Sequence, residues 1–288
     1  MDFAVVVIVE ILYAVASLAL IAAGLAVVFG MMRVINLAHG EFLMLGGYTA
    51  IVSVKAGINI YVAMLVVAPI VVGAIGLIVE RLVIRFLYGR MLDTMLATWG
   101  LSLLLTGLVT MIFGNTTTGI STPIAGYRVG AYQLSGYNLF IIAAGFLVMA
   151  GILLALRYTR AGLIARGAMQ SSDMASGLGH NPQRIYMITF TVGAALSGLA
   201  GGILAPLTGL TPTTGGLYVA KAFITVISGG AAVVAGTLSS ATLFGTITQV
   251  VTLSSTPVWG DVAMLIAAVI LLRLLPQGIT GRFFSRQV

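Results

Sequence analysis

Residues 3–32 read FAVVVIVEILYAVASLALIAAGLAVVFGMM, an apolar run that contains one charged residue, Glu10. A helix needs about 20 apolar residues to cross the roughly 30 Å hydrocarbon core of a bilayer. The run is about twice as long as the apolar part of a signal peptide, and the acidic Asp2 precedes it where a signal peptide is basic. It therefore predicts a transmembrane helix that stays in the protein.

The whole chain has the same apolar character. Of its 288 residues, 60% are hydrophobic and 7% are charged, whereas a soluble domain carries about 25% charged residues. We expect an all-α integral membrane protein, a polytopic bundle of about eight or nine transmembrane helices that form one domain over residues 1–288. Little length is left for a soluble catalytic or ATPase domain, and the absence of cysteine excludes disulfides and thiolate metal sites.

Nine apolar runs predict the helices, and two of them are too short to cross straight. Because Lys and Arg are retained in cytoplasmic loops, their positions orient the chain with its N-terminus outside and its C-terminus in the cytoplasm. The same pattern explains the net charge of +7 by membrane anchoring, without nucleic acid. The runs are Phe3–Met32, Phe42–Val54 (short), Ile58–Val79, Thr94–Phe113, Tyr137–Leu156, Ile185–Leu207, Ala222–Ala235 (short), Leu238–Leu253 and Val258–Leu275.

Two connecting segments are long. Residues 114–136 are rich in turn-forming residues and predict an irregular external loop. Residues 157–184 form the longest cytoplasmic loop, in which residues 161–176 are compatible with one helix that ends near Gly177 and Gly179.

Small residues recur every fourth position in the sixth run, at Gly193, Ser197, Gly201 and Ala205. This spacing places them on one helix face and allows a neighbouring helix to approach closely in lipid. We expect a packing surface, with the alternative that the same smooth face lines a translocation path.

Motifs for autonomous chemistry are absent. No glycine precedes Lys55 or Lys221 as a phosphate-binding loop requires, the histidines His39 and His180 form no H-E-x-x-H zinc motif, and no G-x-S-x-G sequence occurs. We predict no metal, no bound cofactor and no catalytic residue, so the chain is either a passive channel or the membrane part of a complex that another subunit drives.

Polar residues cluster at Asn36, His39 and Glu41, between a full-length and a half-length run. Transporters place irregular backbone at such broken helices, where it lines a cavity. The alternative, a turn in which the three side chains bond to local backbone, remains open.

Three separated motifs resemble the branched-chain amino acid ABC transporter permease family, in its shorter membrane subunit. Residues 29–50 read FGMMRVINLAHGEFLMLGGYTA and resemble its N-A-H-G-E signature, with Leu37 between Asn36 and Ala38. Residues 157–202 resemble its cytoplasmic loop and the following helix, and residues 273–282, RLLPQGITGR, resemble its terminal element, although Leu275 stands where the family has Arg before the proline. Residues 80–105, ERLVIRFLYGRMLDTMLATWGLSLLL, are closer to the urea and short-chain amide branch, from which they differ at Met91 and Asp93.

This resemblance implies a permease subunit of a bacterial inner-membrane ABC importer. We expect urea or a short-chain amide as the solute, with branched-chain or other hydrophobic amino acids as the alternative and a passive small-solute channel as a third. The implied partners are a second homologous permease subunit, two cytoplasmic ATPase subunits that bind ATP and Mg²⁺, an external solute-binding protein and the lipid bilayer.

The resemblance also assigns residues to two roles. The cytoplasmic loop becomes the segment that couples to the ATPase, with a lipid-headgroup anchor as the alternative. Its candidate contact residues are Arg160, Arg166, Ala168, Asp173, Ala175 and Gly179. Polar residues at plausible membrane depth become candidates for the translocation path, namely Asn36, His39, Glu41, Thr98, Trp99, Thr191 and Ser197.

Overall fold

A computed structural model describes residues 2–130, 132–230 and 232–284. About 81% of the structure is helical, with one short hairpin and irregular connections between the helices, and the all-α membrane fold is confirmed. The helices and strands are α1 (Asp2–Met32), α2 (His39–Lys55), α3 (Ile60–Leu82), α4 (Met91–Phe113), β1 (Tyr127–Val129), β2 (Tyr132–Leu134), α5 (Gly136–Tyr158), α6 (Arg160–Gln170), α7 (Ser172–Gly177), α8 (Pro182–Thr208), α9 (Thr214–Gly229), α10 (Val233–Ser254), α11 (Pro257–Leu274) and α12 (Gly278–Phe284).

Seven of the described helices are long and apolar enough to cross a membrane: α1, α3, α4, α5, α8, α10 and α11. Helices α2 and α9 have 17 and 16 residues, which gives them a length of roughly 25 Å. Helix α2 contains the short run Phe42–Val54, whereas the predicted run Ala222–Ala235 begins in the middle of α9 and ends in the first turn of α10. The expected eight or nine crossings therefore become seven full-length helices and two short ones within the described chain.

The chain packs into two compact units. The first comprises the described parts of Met1–Ala22, Thr122–Met149 and Lys221–Val288, and the second comprises Ala23–Ser121 and Ala150–Ala220. In the first unit, Lys221 on α9 forms an ion pair with Asp261 on α11 at 2.8 Å, and Asn138 donates a hydrogen bond to Glu10 at 3.1 Å. The polar candidates and the long loop over residues 157–184 belong to the second unit.

The second unit is built around α8. Gly73 and Gly76 of α3 face Ala195 and Ala194 of α8, and a Cβ atom added to Gly76 would overlap that of Ala194. The same helices share a core of buried side chains, in which the rings of Phe42 and Phe190 pack edge to face with centroids 6.0 Å apart. Close packing of small residues holds these helices together, because burial of apolar surface gives little net driving force inside lipid.

Both long loops differ from the sequence prediction. The segment over residues 114–136, predicted to be an irregular loop, contains an antiparallel hairpin in which Tyr127 pairs with Leu134. Gly130 allows its turn because it adopts a φ of 60°. Residues 161–176 form two helices instead of one, since Ser171 is extended and its hydroxyl accepts a hydrogen bond from Met174 N at 3.2 Å. Serine is a preferred N-cap, so it ends α6 and starts α7.

Candidate functional site

The connection between α1 and α2 is an ordered turn inside the second unit. Arg33, which follows α1, has a φ of 51°, a left-handed conformation that a non-glycine residue seldom adopts. The Asn36 side chain accepts a hydrogen bond from Ala38 N at 3.1 Å, an Asx-type turn that leads the chain into α2. Asn36 is 2% exposed. Its contacts match the alternative in which this residue bonds to local backbone.

Thr98 of α4 ties this turn to a distant helix. Its hydroxyl accepts a hydrogen bond from Leu37 N at 3.1 Å, and the nearest acceptor for its own proton is Thr94 O at 2.9 Å. Thr98 is completely buried. An N–H group left without a partner in lipid is costly. This threonine therefore fixes the position of residues 33–38 between α1 and α2, which we call the broken segment.

His39, the first residue of α2, makes a second cross-connection. Its Nδ1 atom lies 3.1 Å from the Ser197 hydroxyl of α8, and that hydroxyl donates to Gly193 O at 2.8 Å. A serine that donates to a carbonyl accepts from a protonated ring nitrogen. Ser197 lies roughly 22 Å along α8 from its start, which places the contact near the middle of the span.

Glu41 is the acidic member of this cluster and is 3% exposed. Its Oε2 atom has no hydrogen-bond partner within the described part of the chain, while Oε1 lies against Gly215 in the first turn of α9. The N-terminus of a helix carries a partial positive charge, so the end of α9 that faces this carboxyl group is the one that favours an acidic side chain. A Cβ atom added to Gly40 would overlap the carbonyl of Gly215, so only glycine permits this approach.

The small-residue face of α8 is filled by the neighbouring helices. Gly193 lies against Gly24 and Val28 of α1, Gly201 lies against the carbonyl of Leu43 in α2, and Ala205 packs near Gly47. A side chain at Gly201 would collide with backbone. In this conformation the face is a packing surface, and it leaves no room there for a solute.

Two predicted path residues, Trp99 and Thr191, lie away from the other five, which form the polar cluster. Trp99 is 55% exposed, because it follows Thr98 by one residue and a helix turns by about 100° per residue. The Thr191 hydroxyl donates to Met187 O of its own helix at 2.8 Å, and its side chain lines a shallow cleft beside Gly73. The structure thus brings together Asn36, His39, Glu41, Thr98 and Ser197.

The predicted coupling residues divide between two faces of α6 and α7. Arg160, Arg166, Asp173 and Gly179 are exposed, whereas Ala168 and Ala175 are buried against the chain itself. The most exposed large apolar side chains of α6, α7 and the following turn are Leu163, Met174 and Leu178, with 64%, 72% and 79% of their surface accessible. Sequence reasoning missed these three. A helical wheel places Leu163 about 140° from Ala168 and Met174 about 100° from Ala175, but it places Leu178 on the same side as Ala175, and Leu178 is exposed because it follows the end of α7.

Comparison with known proteins identifies the family. The family described as "Branched-chain amino acid transport system / permease component" matches residues 7–275. The chain belongs to this family. The permease is 31% identical to the high-affinity branched-chain amino acid transport system permease protein BraD of Pseudomonas aeruginosa, over 92% of this chain and 91% of that protein. It is 28% identical to the permease protein LivH of Escherichia coli K12 over the same shares.

An archaeal relative and a solved structure are also similar to this chain. A probable branched-chain amino acid transport permease protein of Methanocaldococcus jannaschii is 28% identical over 92% of this permease and 88% of its own length. Among solved structures, PsaBC from Streptococcus pneumoniae in complex with Fab has a similar fold, with a TM-score of 0.52, 12% identity, and coverage of 97% of this chain and 94% of that one. That likeness concerns the fold alone.

The segment that suggested the urea branch runs from the last turn of α3 through the connection over residues 83–90 into α4 of the permease. Tyr88 donates a hydrogen bond to the buried carboxylate of Glu80 and packs against Tyr186, with ring centroids 5.1 Å apart. Burial, together with this hydrogen bond, raises the pKa of the Tyr88 phenol well above its usual range. Residues 80–105 therefore hold one end of the second unit together, and the comparisons do not confirm the urea branch.

Proposed function

We propose that the chain is the translocating membrane subunit of an ATP-binding cassette importer for branched-chain amino acids. The observation that carries this proposal is the family match over residues 7–275, together with relatives along nearly the whole chain that are named for branched-chain amino acid transport. This substrate class was the alternative in the sequence analysis. It replaces urea as the leading candidate, because the segment that favoured urea makes structural contacts.

The partners follow from the same assignment. A second homologous permease subunit completes the translocation path, an external binding protein delivers the solute, and two cytoplasmic ATPase subunits bind ATP and Mg²⁺. The arginines near the ends of α3, α5 and α8 place that end of the second unit in the cytoplasm by the positive-inside rule. The chain then lies in the inner membrane with its N-terminus outside and its C-terminus inside.

Helices α6 and α7 are the proposed docking element for the ATPase. Their exposed surface combines Leu163, Met174 and Leu178 with the charges of Arg166 and Asp173. A protein interface needs an apolar centre with a polar rim, and this surface provides both. Ala168 and Ala175 seat the element on the second unit and are not part of the contact.

The polar cluster positions the broken segment between α1 and α2 in this proposal. Asn36, His39, Thr98 and Ser197 use their polar atoms on one another or on backbone, so they hold the turn instead of reaching a solute. Glu41 keeps an unused acceptor oxygen and remains the candidate for contact with an ammonium group. An amino acid zwitterion is the type of solute that needs such an acceptor.

The test is transport by the complete complex. The chain would be co-expressed with the permease, ATPase and binding-protein genes beside its own, reconstituted in proteoliposomes, and supplied with [14C]leucine or [14C]urea with and without internal ATP. We expect ATP-dependent uptake of leucine and none of urea. Uptake of urea alone would restore the first expectation, and downhill flux at channel rates through the chain without partners would support the passive channel.

A further inference from the structure

The second unit carries a polar groove at its arginine-rich end. The groove has a volume of about 430 Å³ and is lined by Arg81, Arg85, Asn181, Gln183, Arg184 and Glu80. None of the three guanidinium groups forms an ion pair with a carboxylate in the part of the chain that the structure describes. Three positive charges thus face one carboxylate, which leaves the groove with a net charge of about +2.

A second, apolar groove adjoins it. This groove has a volume of about 480 Å³ and lies between α1, α6 and α8, where Val27, Met31, Ile164, Ile185 and Ile188 contribute to its walls. Asn181 and Arg184 line both grooves. The two spaces are therefore neighbours, one suited to an anion and the other to a hydrocarbon chain.

We infer that the paired grooves bind one anionic phospholipid, with its phosphate among Arg81, Arg85 and Arg184 and an acyl chain in the apolar groove. Basic pockets between transmembrane helices on the cytoplasmic side commonly hold such headgroups. Free phosphate would satisfy the arginines but would leave the apolar groove unused, so the pairing selects a lipid.

This site has a functional consequence beyond solute transport. The apolar groove is bounded on one side by α6, the first helix of the proposed docking element. A bound lipid would therefore contact the face of α6 that is turned toward α1 and α8, and would hold α6 in position against these two helices. The inference does not depend on the transported solute, since only the charge and shape of the grooves enter it.

The test measures lipid retention by the purified full-length chain. Native mass spectrometry would compare the binding of dioleoylphosphatidylglycerol, dioleoylphosphatidylcholine and soluble glycerol 3-phosphate. The triple variant Arg81→Gln, Arg85→Gln, Arg184→Gln is expected to bind phosphatidylglycerol about 100-fold more weakly, at roughly fivefold per arginine near a membrane surface. The control triple variant Arg33→Gln, Arg90→Gln, Arg157→Gln removes equal charge outside both grooves and is expected to change binding less than about threefold.

A second variant tests the acyl-chain part. Ala165→Phe fills the apolar groove and is expected to weaken phosphatidylglycerol binding while leaving glycerol 3-phosphate binding unchanged. Equal affinity for phosphatidylcholine, full competition by glycerol 3-phosphate, or an equal loss in the control triple variant would each overturn the inference. So would a groove variant that still binds phosphatidylglycerol but no longer retains the ATPase, since an acidic protein surface would then be the occupant. Each variant would first be checked for a single cooperative unfolding transition, and Arg→Lys replacements at the three positions would restore binding if charge is the cause.

Discussion

Replacing Thr98 by valine removes one hydroxyl group while the side chain keeps a similar shape. In the structure this hydroxyl accepts the hydrogen bond of Leu37 N at 3.1 Å, and Thr98 is completely buried. The substitution therefore leaves a backbone N–H of the broken segment without its partner. A buried donor in this state costs about 1–3 kcal/mol, and no water is present in the bilayer core to replace the bond.

The matched control is Thr189→Val. Thr189 is also buried, and its hydroxyl donates to Ile185 O of its own helix at 2.8 Å. Loss of such a bond leaves a carbonyl that still accepts its helical hydrogen bond, so we expect a change of less than about 1 kcal/mol. Thr98→Val should thus be less stable than Thr189→Val by about 2 kcal/mol.

The assay is equilibrium unfolding of the purified chain in mixed micelles, with helix content as the signal. A difference of about 2 kcal/mol corresponds to a change of roughly 30-fold in the unfolding constant. Equal unfolding midpoints for the two variants would refute the reasoning. They would show that the bond between Thr98 and Leu37 stabilises the chain no more than the bond of a threonine hydroxyl to a carbonyl of its own helix. The same pair of variants in the reconstituted complex should separate in transport rate, with Thr98→Val slower.

Two further predictions concern packing and coupling. Gly201→Val places a side chain onto the carbonyl of Leu43 and should destabilise the chain by about 3 kcal/mol, while Gly100→Val, which meets no atom within 4 Å, should leave the unfolding midpoint unchanged or raised. Leu178→Asp changes a side chain that is 79% exposed and should alter stability by less than about 0.5 kcal/mol. It should lower co-purification of the ATPase more than tenfold, and Leu178→Ile should retain it; equal yields for both variants would remove Leu178 from the docking surface.

The helix positions could be predicted because lipid imposes a simple length rule on apolar runs. The short run Phe42–Val54 corresponds to α2. The run Ala222–Ala235 instead joins the second half of α9 to the start of α10, because no charged residue lies between Lys221 and Asp261 to mark the end of α9. Glycine spacing in α8 likewise predicted a packed face. What the runs did not reveal was the identity of the packing partner, because a small-residue stripe accepts any helix of suitable shape.

The directions of the side chains on α6 and α7 were harder to predict from the sequence. Ala168 and Ala175 were assigned to the coupling surface with Arg166, yet Ala168 lies two residues from Arg166 and therefore faces another side of α6. The break at Ser171 then sets the direction of α7. A single helix over residues 161–176 would have presented a different face, so one unrecognised N-cap changed the predicted surface.

The solute could not be predicted from the motif in residues 80–105. Three hydrogen bonds of this segment hold α3, α4 and the turn before α2 together: Tyr88 to Glu80, Thr94 to Leu87 O, and Leu37 N to Thr98. The resemblance of residues 80–105 to the urea branch therefore concerns residues that join α3 to α4, and it carries no information about the solute. Solute recognition depends on groups with unused hydrogen-bonding capacity, and of the predicted path residues Glu41 has a buried side-chain oxygen without a partner in the described chain.

Helix α8 connects the features on which these proposals rest. It begins beside Arg184 in the paired grooves, packs against α1, α2 and α3 through small residues, and reaches the polar cluster at Ser197. Backbone contacts of this closeness leave no soft side chains to absorb a displacement, so a tilt imposed at the α6 end is transmitted along α8 as a rigid-body movement. A movement of Ser197 then alters its contact with His39 and the direction of α2. We therefore expect ATP-driven motion at α6 and α7 to reach the broken segment through α8. A reporter pair of labels on α6 and α2 should show coordinated distance changes on ATP binding in the complete complex, and independent changes would contradict this route.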